Sequence, residues 1–419
     1  LHETRDLQAA MAECSVWAHT LARPDELPQV LARAFAIFNS ERPGPVHITM
    51  PLNVITANAD HVPVQTWPLP SKAAPAPEQL QAAAELLNKA SNPVLILGGG
   101  AAGAARSILE LAEALGAPVT TTHNAKGLLA PEHPLYVGGS PSQTASRELF
   151  QNADVILAIG TEFGETDYDF FFTGHFDMGA AKIIRVDIDR AQLSRNVLPA
   201  IAIQADAALF AQALTPLLST PCSNGPARTA VASAARKVDD IEGYQLFLSQ
   251  LQLALPGAIL IGDSTQPAYF AGLQYDAPAA RRFASAATGY GTLGYALPAA
   301  FGAKLGQPEL PVISLIGDGG LQFTINELST AIEAQIPVAI VVWNNQRYEM
   351  IAQNFIEAGM EPIACDIYTP DFKAIAQAYG CPAYRAHNLE ELTEYLRAAQ
   401  QQTVPTLIEV METDFLPAQ

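Results

Sequence analysis

Apolar residues recur along this chain in two periods. Short continuous runs rich in Val and Ile alternate with stretches whose apolar positions fall three and four residues apart. The runs are PVLILGG (93–99), APVTTT (117–122), DVILAIG (154–160) and AKIIRVDID (181–189), then AILIGD (258–263), PVISLIGD (311–318), VAIVVWNN (338–345) and TLIEVM (406–411). Runs this short and unbroken predict strands buried on both faces, as in a parallel sheet covered by helices on either side. Helices are expected at 107–116, which ends in a capping glycine, and at 240–254, 293–305, 324–335, 370–379 and 388–401. Strands and helices in alternation give an α/β fold class, with doubly wound parallel-sheet domains.

Residues 1–61 are different. They hold one helix candidate (25–40), with Leu27, Val30, Leu31, Ala34 and Phe35 on one face, and one strand candidate (45–52). One helix and one strand cannot close a core alone, so this piece is expected to be the C-terminal remnant of a larger domain. Pro/Ala/Ser-rich stretches at 62–79 and 216–230 carry neither period and read as linkers. The domains expected are therefore 1–61, 75–218 and 230–419.

Composition narrows the function classes. Of 419 residues, 49% are apolar and 16% are charged, which suits a globular chain with large cores. The formal charge of −19 leaves no basic face for nucleic acid. No apolar run is long enough to cross a membrane, and residues 1–15 lack a signal-peptide core. The four cysteines are scattered without CxxC spacing, which predicts reduced thiols and a cytoplasmic location.

The chemistry concentrates in 317–347, GDGGLQFTINELSTAIEAQIPVAIVVWNNQR. A buried strand runs into an Asp within a glycine turn. A helix, a second buried strand and paired Asn follow. Asp318 and Asn345 then stand at the carboxyl ends of two strands of one βαβ unit, the edge where open parallel sheets bind ligands. A carboxylate, an amide oxygen and a nearby backbone carbonyl are hard ligands suited to Mg²⁺ or Ca²⁺. Gly317, Gly319 and Gly320 let a phosphate approach backbone N–H groups at a helix start. GDG alone fits an ordinary strand-end turn with a capping Asp; GDG followed by NN one strand later is far more specific.

That pattern resembles the signature of thiamine-diphosphate (ThDP) enzymes. The likeness extends over most of the chain. ERPGPVHITMPLNV (41–54) resembles the end of the pyrimidine-binding domain of the acetolactate synthase group, and 93–189 resembles its Rossmann-like central domain. TGYGTLGYALPAAFGAKLG (288–306) resembles the segment beneath the thiazolium ring. The resemblance implies a ThDP-binding fold in which Asp318, Asn345 and the backbone oxygen of Arg347 hold the metal. It implies that Leu293 bends the cofactor, whereas an isolated Leu there would be a first-turn helix residue. Ser264, Thr265 and Gln266 become candidate diphosphate donors. Where acetolactate synthases usually carry Gln-His, this chain has Gln266-Pro267, which pulls away from that subgroup.

The resemblance also implies the reaction: the thiazolium carbon adds to a 2-oxo acid and holds the electron pair left when carbon dioxide departs. Activation in the family needs a glutamate from the first half of a partner's pyrimidine-binding domain. LHETRD (1–6) resembles a later region, so Glu3 is not that residue, and the activating acid is expected upstream. LHETRDL, GETDYDFF (164–171), GDSTQ and MEPIACDIYTPDF (360–372) look most like decarboxylases of 5-guanidino-2-oxopentanoate. A guanidinium substrate calls for a carboxylate reader, with Asp167, Asp169 and Glu349 as candidates. Tyr348 and Met350 are expected in the pocket wall. An acetolactate synthase-type carboligase and an inactive fragment lacking the activating Glu stand as alternatives. FAD is not expected, because GGG at 98–100 is not a dinucleotide fingerprint. A homodimer or homotetramer is implied by the family.

Overall fold

The computed structural model describes residues 4–168, 177–236 and 243–416. Three sheets, all parallel, organise them. The first pairs β1 (Trp17–Thr20) with β2 (Val46–Thr49). The second has β3 (Pro93–Leu97), β4 (Val119–Thr121), β5 (Val155–Ile159), β6 (Lys182–Asp187) and β7 (Ile201–Gln204), in the order β4-β3-β5-β6-β7. The third has β8 (Ile259–Gly262), β9 (Phe283–Ser285), β10 (Val312–Gly317), β11 (Ala339–Asn344), β12 (Ala383–Ala386) and β13 (Thr406–Met411), in the order β12-β13-β11-β10-β8-β9.

Alternating strand residues feed two cores, which is why the central runs are apolar without a break. In β3, Leu95 and Leu97 enter one cluster while Val94 and Ile96 enter another on the opposite face. In the third sheet, Ile313, Leu315, Val341 and Trp343 pack one way and Val312, Ile316, Ile340 and Val342 the other. Both larger sheets are thus doubly wound α/β layers. From β8 the chain goes first to β9 on one side and then to β10 on the other. The topological switch point therefore lies between the tips of β8 and β10, where a ligand crevice is expected.

Several sequence expectations need correction. The linker expected at 62–79 stops at a helix, Pro77–Asn88, started by a proline at its first position. The one expected at 216–230 gives way to the alanine-rich helix Gly225–Arg236, because alanine propensity outweighs its Gly-Pro start. The helix expected at 293–305 begins only at Ala296, and that expected at 324–335 is a 3-10 turn, Ile325–Glu327, followed by a short helix, Leu328–Glu333. The one expected at 240–254 runs Tyr244–Ala254, with 240–242 outside the described residues. On helix Leu27–Ser40, Val30, Ala34 and Ile37 are buried, but Leu31 and Phe35 are 40% and 55% exposed. Two strands are too narrow to cover the whole predicted face. All four cysteines are free thiols. Among the described residues no helix is long and apolar enough to cross a membrane.

A buried ionic cluster joins the second and third sheets. Arg236 makes a two-point pair with Asp276, at 2.8 Å on each oxygen. Lys126 is 2% exposed nearby. Among the described residues its Nζ donates to the Gly139 carbonyl alone, at 3.5 Å. Burial pushes the ammonium down to about 8, against the pull of Asp276. Because the unfolded lysine titrates near 10.5, folding with this residue charged is penalised at neutral pH. Between those values the unfolded chain binds more protons, so stability should rise with pH across that window. Lys126→Met should stabilise the fold by about 1–4 kcal/mol at neutral pH, since Asp276 keeps its arginine. Thermal midpoints at pH 7 and pH 10 check this: the gain should shrink at the higher pH.

Candidate active site

At the switch point a cavity of about 250 Å³ opens between the tips of β8, β10 and β11. It is lined by Ser264, Thr265 and Gln266 from the loop after β8, by Leu293, by Gly317, Asp318, Gly319 and Gly320 after β10, and by Asn345, Arg347, Tyr348, Glu349 and Met350 after β11. Every residue singled out from the sequence for the cofactor, metal and pocket wall thus stands around one space. β10 and β11 are direct neighbours, with Gly317 opposite Trp343, so Asp318 and Asn345 leave adjacent strand ends.

Asp318 is the first residue of helix Asp318–Thr324 and is 2% exposed. Its Oδ2 is buried and, among the described residues, has no hydrogen-bond partner. Burial pushes its carboxyl up to about 6. Backbone N–H groups of Gly319 and Gln346 partly offset this, and the charge of Glu412 adds to it. A buried anionic oxygen without a donor is a costly arrangement unless a cation completes it. Gln266 Nε2, on the same cavity, is likewise buried without an acceptor among the described residues. One orphaned acceptor and one orphaned donor in a small space fit a cation and an anionic group bound together. Among the described residues no three His, Cys, Asp or Glu side chains converge on a metal position. A metal here would need the mixed set of one carboxylate, one amide oxygen and backbone carbonyl.

The turn after β11 is held from several sides. Gln346 has φ 58, a left-handed conformation that reverses the chain. Its N–H donates to Asn344 Oδ1 at 3.2 Å, and the Arg347 N–H donates to Asn345 Oδ1 at 3.2 Å. The segment around Cys365 adds an antiparallel bridge, with the Tyr348 N–H donating to the Cys365 carbonyl at 2.8 Å and the Ile367 N–H to the Gln346 carbonyl at 3.0 Å. Two glutamates, Glu409 within β13 and Glu412 just after it, hold the asparagines. Asn344 Nδ2 donates to the buried Glu409 at 2.7 Å, and Arg385 donates to the other oxygen of that carboxylate at 2.8 and 2.9 Å. Glu412 Oε2 accepts from Trp343 Nε1 at 2.7 Å and from Asn345 Nδ2 at 3.4 Å.

The glycines of the turn are set by close approach. A Cβ on Gly319 would lie 2.6 Å from Tyr348 Cε1, and one on Gly320 would lie 2.7 Å from Asp263 Oδ1. Leu293 sits in the loop before helix Ala296–Gly306, not in its first turn. Glu349 opens helix Glu349–Glu357. Its Oε1 accepts from Gln353 Nε2 at 3.1 Å and its Oε2 lies 3.6 Å from Arg347 Nη1. Asp167 lies elsewhere: its carboxylate accepts the His123 N–H at 2.9 Å and lines a second cavity of about 590 Å³ at the tips of β3, β5 and β6. Asp169 and Glu3 fall outside the described residues. In that second cavity the glycine run packs closely, since a Cβ on Gly98 would stand 2.1 Å from the Gly160 carbonyl oxygen.

Sequence reasoning missed Asp263, Tyr269, Ile351, Glu409 and Glu412. One signal was available for Asp263: the neighbouring strands β8 and β10 run alike into LIGD, offset by two residues in register.

Comparison with known proteins gives this site its class. Residues 263–410 match the C-terminal TPP binding domain of thiamine pyrophosphate enzymes, and residues 80–214 match their central domain. The chain belongs to the thiamine pyrophosphate enzyme family. It is 37% identical to the probable 2-ketoarginine decarboxylase AruI of Pseudomonas aeruginosa, over 98% of this chain and 74% of that protein. It is 35% identical to the acetolactate synthase isozyme 1 large subunit of Escherichia coli, over 80% of this chain and 61% of that protein. It is 30% identical to a probable acetolactate synthase large subunit of Methanocaldococcus jannaschii, over 93% of this chain and 70% of that protein.

Proposed function

We propose that this chain supplies the diphosphate and metal half-site of an enzyme that decarboxylates a 2-oxo acid with ThDP and Mg²⁺, and that 5-guanidino-2-oxopentanoate is the substrate. The observation that carries the reading is the buried, unpartnered Oδ2 of Asp318 at a strand tip beside Asn345. Asp318, Asn345 and the Arg347 carbonyl would hold a small divalent cation, which would satisfy that oxygen and supply positive charge for an anionic group. Gln266 and the N–H groups at the start of helix Asp318–Thr324 would receive the phosphate oxygens. When bound, the cofactor supplies the electron sink for loss of carbon dioxide. The protein's own part is to orient the ring through Leu293 and to line the substrate's path with Tyr348, Met350 and Glu349.

The guanidino substrate is supported by the relationship to the Pseudomonas protein and by local charge. Glu349 and Asp366 flank one guanidinium, that of Arg347, at 3.6 and 3.1 Å, which leaves one negative charge in excess. A carboligase of the acetolactate synthase type is the second reading, favoured by the identity to the Escherichia coli subunit. Pro267, next to the diphosphate loop, weighs against it. Assembly as a homodimer or homotetramer is supported by the exposed apolar side chains Met350 and Ile351 at the cavity and Leu31 and Phe35 on the N-terminal helix, and a cytoplasmic location by the four free thiols.

Product analysis separates the two readings. With 5-guanidino-2-oxopentanoate, the enzyme carrying both this half-site and the activating glutamate should form carbon dioxide and a guanidino aldehyde at least about tenfold faster than any product from pyruvate, a gap of roughly 1.4 kcal/mol in barrier. Condensed acetolactate from pyruvate as the main product would overturn the decarboxylase reading.

A further inference from the structure

Asp263, at the tip of β8, has no role in the half-site described above, yet it is 1% exposed and lies against three walls of the cavity. Its Oδ1 accepts the Ser264 N–H at 2.9 Å and the Gly294 N–H at 3.1 Å, and its Oδ2 accepts the Ala296 N–H at 2.8 Å. The same Oδ1 fills the place a Cβ on Gly320 would take. One carboxylate thus ties the loop after β8, the segment 293–296 and the turn after β10.

The plain reading is a cap for helix Ala296–Gly306. A cap needs only the Ala296 bond, and the Gly294 bond lies outside that helix. Gly294 is also held from its other side. Thr324 Oγ1 donates to the Gly294 carbonyl at 3.1 Å, and a Cβ there would stand 2.9 Å from Thr324 Cγ2. Its φ of 85° suits glycine alone. Both polar groups of the residue directly after Leu293 are therefore fixed by side chains from two different elements.

We propose that Asp263 and Thr324 clamp Gly294 and so fix Leu293 against the bound cofactor, making Asp263 a positioning residue for the reaction. This rests on the reading of the cavity as the ThDP site. Hydrogen bonds made to a buried carboxylate set position better than packing alone, because the acceptor and its donors are each held by their own strand or turn.

The test uses Asp263→Asn, Thr324→Val, Leu293→Ala and the double variants with Leu293→Ala. In Asp263→Asn, amide hydrogen exchange across 292–297 should quicken by about tenfold or more, while β10 and β11 keep their protection. Turnover of the enzyme that also carries the activating glutamate should fall about 10–100-fold, the range typical of a supporting partner, with ThDP affinity changed far less. Asp263→Asn with Leu293→Ala should lose no more than Leu293→Ala alone. Additive losses, or exchange across 292–297 that does not change, overturn the proposal. If Asp263→Asn fails to fold, Thr324→Val carries the same cycle, and additivity there overturns it equally. Absence of ThDP binding by the unaltered protein overturns both this proposal and the half-site reading. Binding with additive losses overturns this one alone.

Discussion

Asp318→Ala is expected to abolish Mg²⁺-dependent binding of ThDP while leaving the fold intact. The aspartate is the one anionic ligand in the proposed set, since Asn345 and the Arg347 carbonyl offer only neutral oxygens. Loss of an outer partner of a metal typically weakens it about 10–100-fold, so loss of the charged ligand itself should exceed about a hundredfold. The metal-free protein should behave in the opposite way. There the Oδ2 of Asp318 is buried and unpartnered, and burial has already pushed its carboxyl up to about 6. Removing an unsatisfied buried group relieves a penalty of about 1–3 kcal/mol. The variant without ligands should therefore melt at or above the unaltered protein. With ThDP and Mg²⁺ at about a hundred times the dissociation constant, the unaltered protein should gain about 2.7 kcal/mol and the variant nothing. Thermal melts with and without both ligands, paired with calorimetry, check this. A variant that keeps the ligand-induced shift would remove Asp318 from the metal site.

How much could be read from the chain alone followed burial. The strands at sheet centres are long, unbroken apolar runs, and β3, β5, β6, β8, β10, β11 and β13 lie within their predicted ranges. The strands that escaped, β7, β9 and β12, sit on sheet edges, and β1 belongs to the two-stranded pair. Length alone does not decide it, since β4 and β8 are as short and were legible: those two are buried at every position, whereas β7, β9 and β12 are interrupted by half-exposed or exposed residues that break the apolar run. The site divided in the same way. Asp318 and Asn345 were legible because one βαβ unit fixes their spacing. Glu409 and Glu412 were not, because each reaches the site from another strand and only the sheet order brings them there; Asp263 was legible only through the LIGD ending that β8 shares with β10. Leu293 was placed by the resemblance; the structure adds that it stands in a loop held from both sides.

The second large effect expected is on substrate choice. Glu349→Gln should lower kcat/KM for 5-guanidino-2-oxopentanoate about 10–100-fold and change that for pyruvate by less than about threefold. A hydrogen bond to a charged group contributes about 1.5–3 kcal/mol, which sets the size of the loss. The geometry argues for Glu349 over Asp167. Glu349 lines the 250 Å³ cavity beside Tyr348 and Met350, whereas Asp167 faces the other cavity and is engaged with His123. Arg347 lies 3.6 Å from Glu349 and 3.1 Å from Asp366, so this corner already accommodates one guanidinium and has a carboxylate to spare for a second. Glutamine keeps the shape, and its amide can still meet Gln353, but the charge is gone. The loss should therefore fall on the cationic substrate, with Mg²⁺ and ThDP affinities unchanged. Equal losses for both substrates would make Glu349 a support of the turn after β11, and an unchanged ratio would move guanidinium recognition elsewhere.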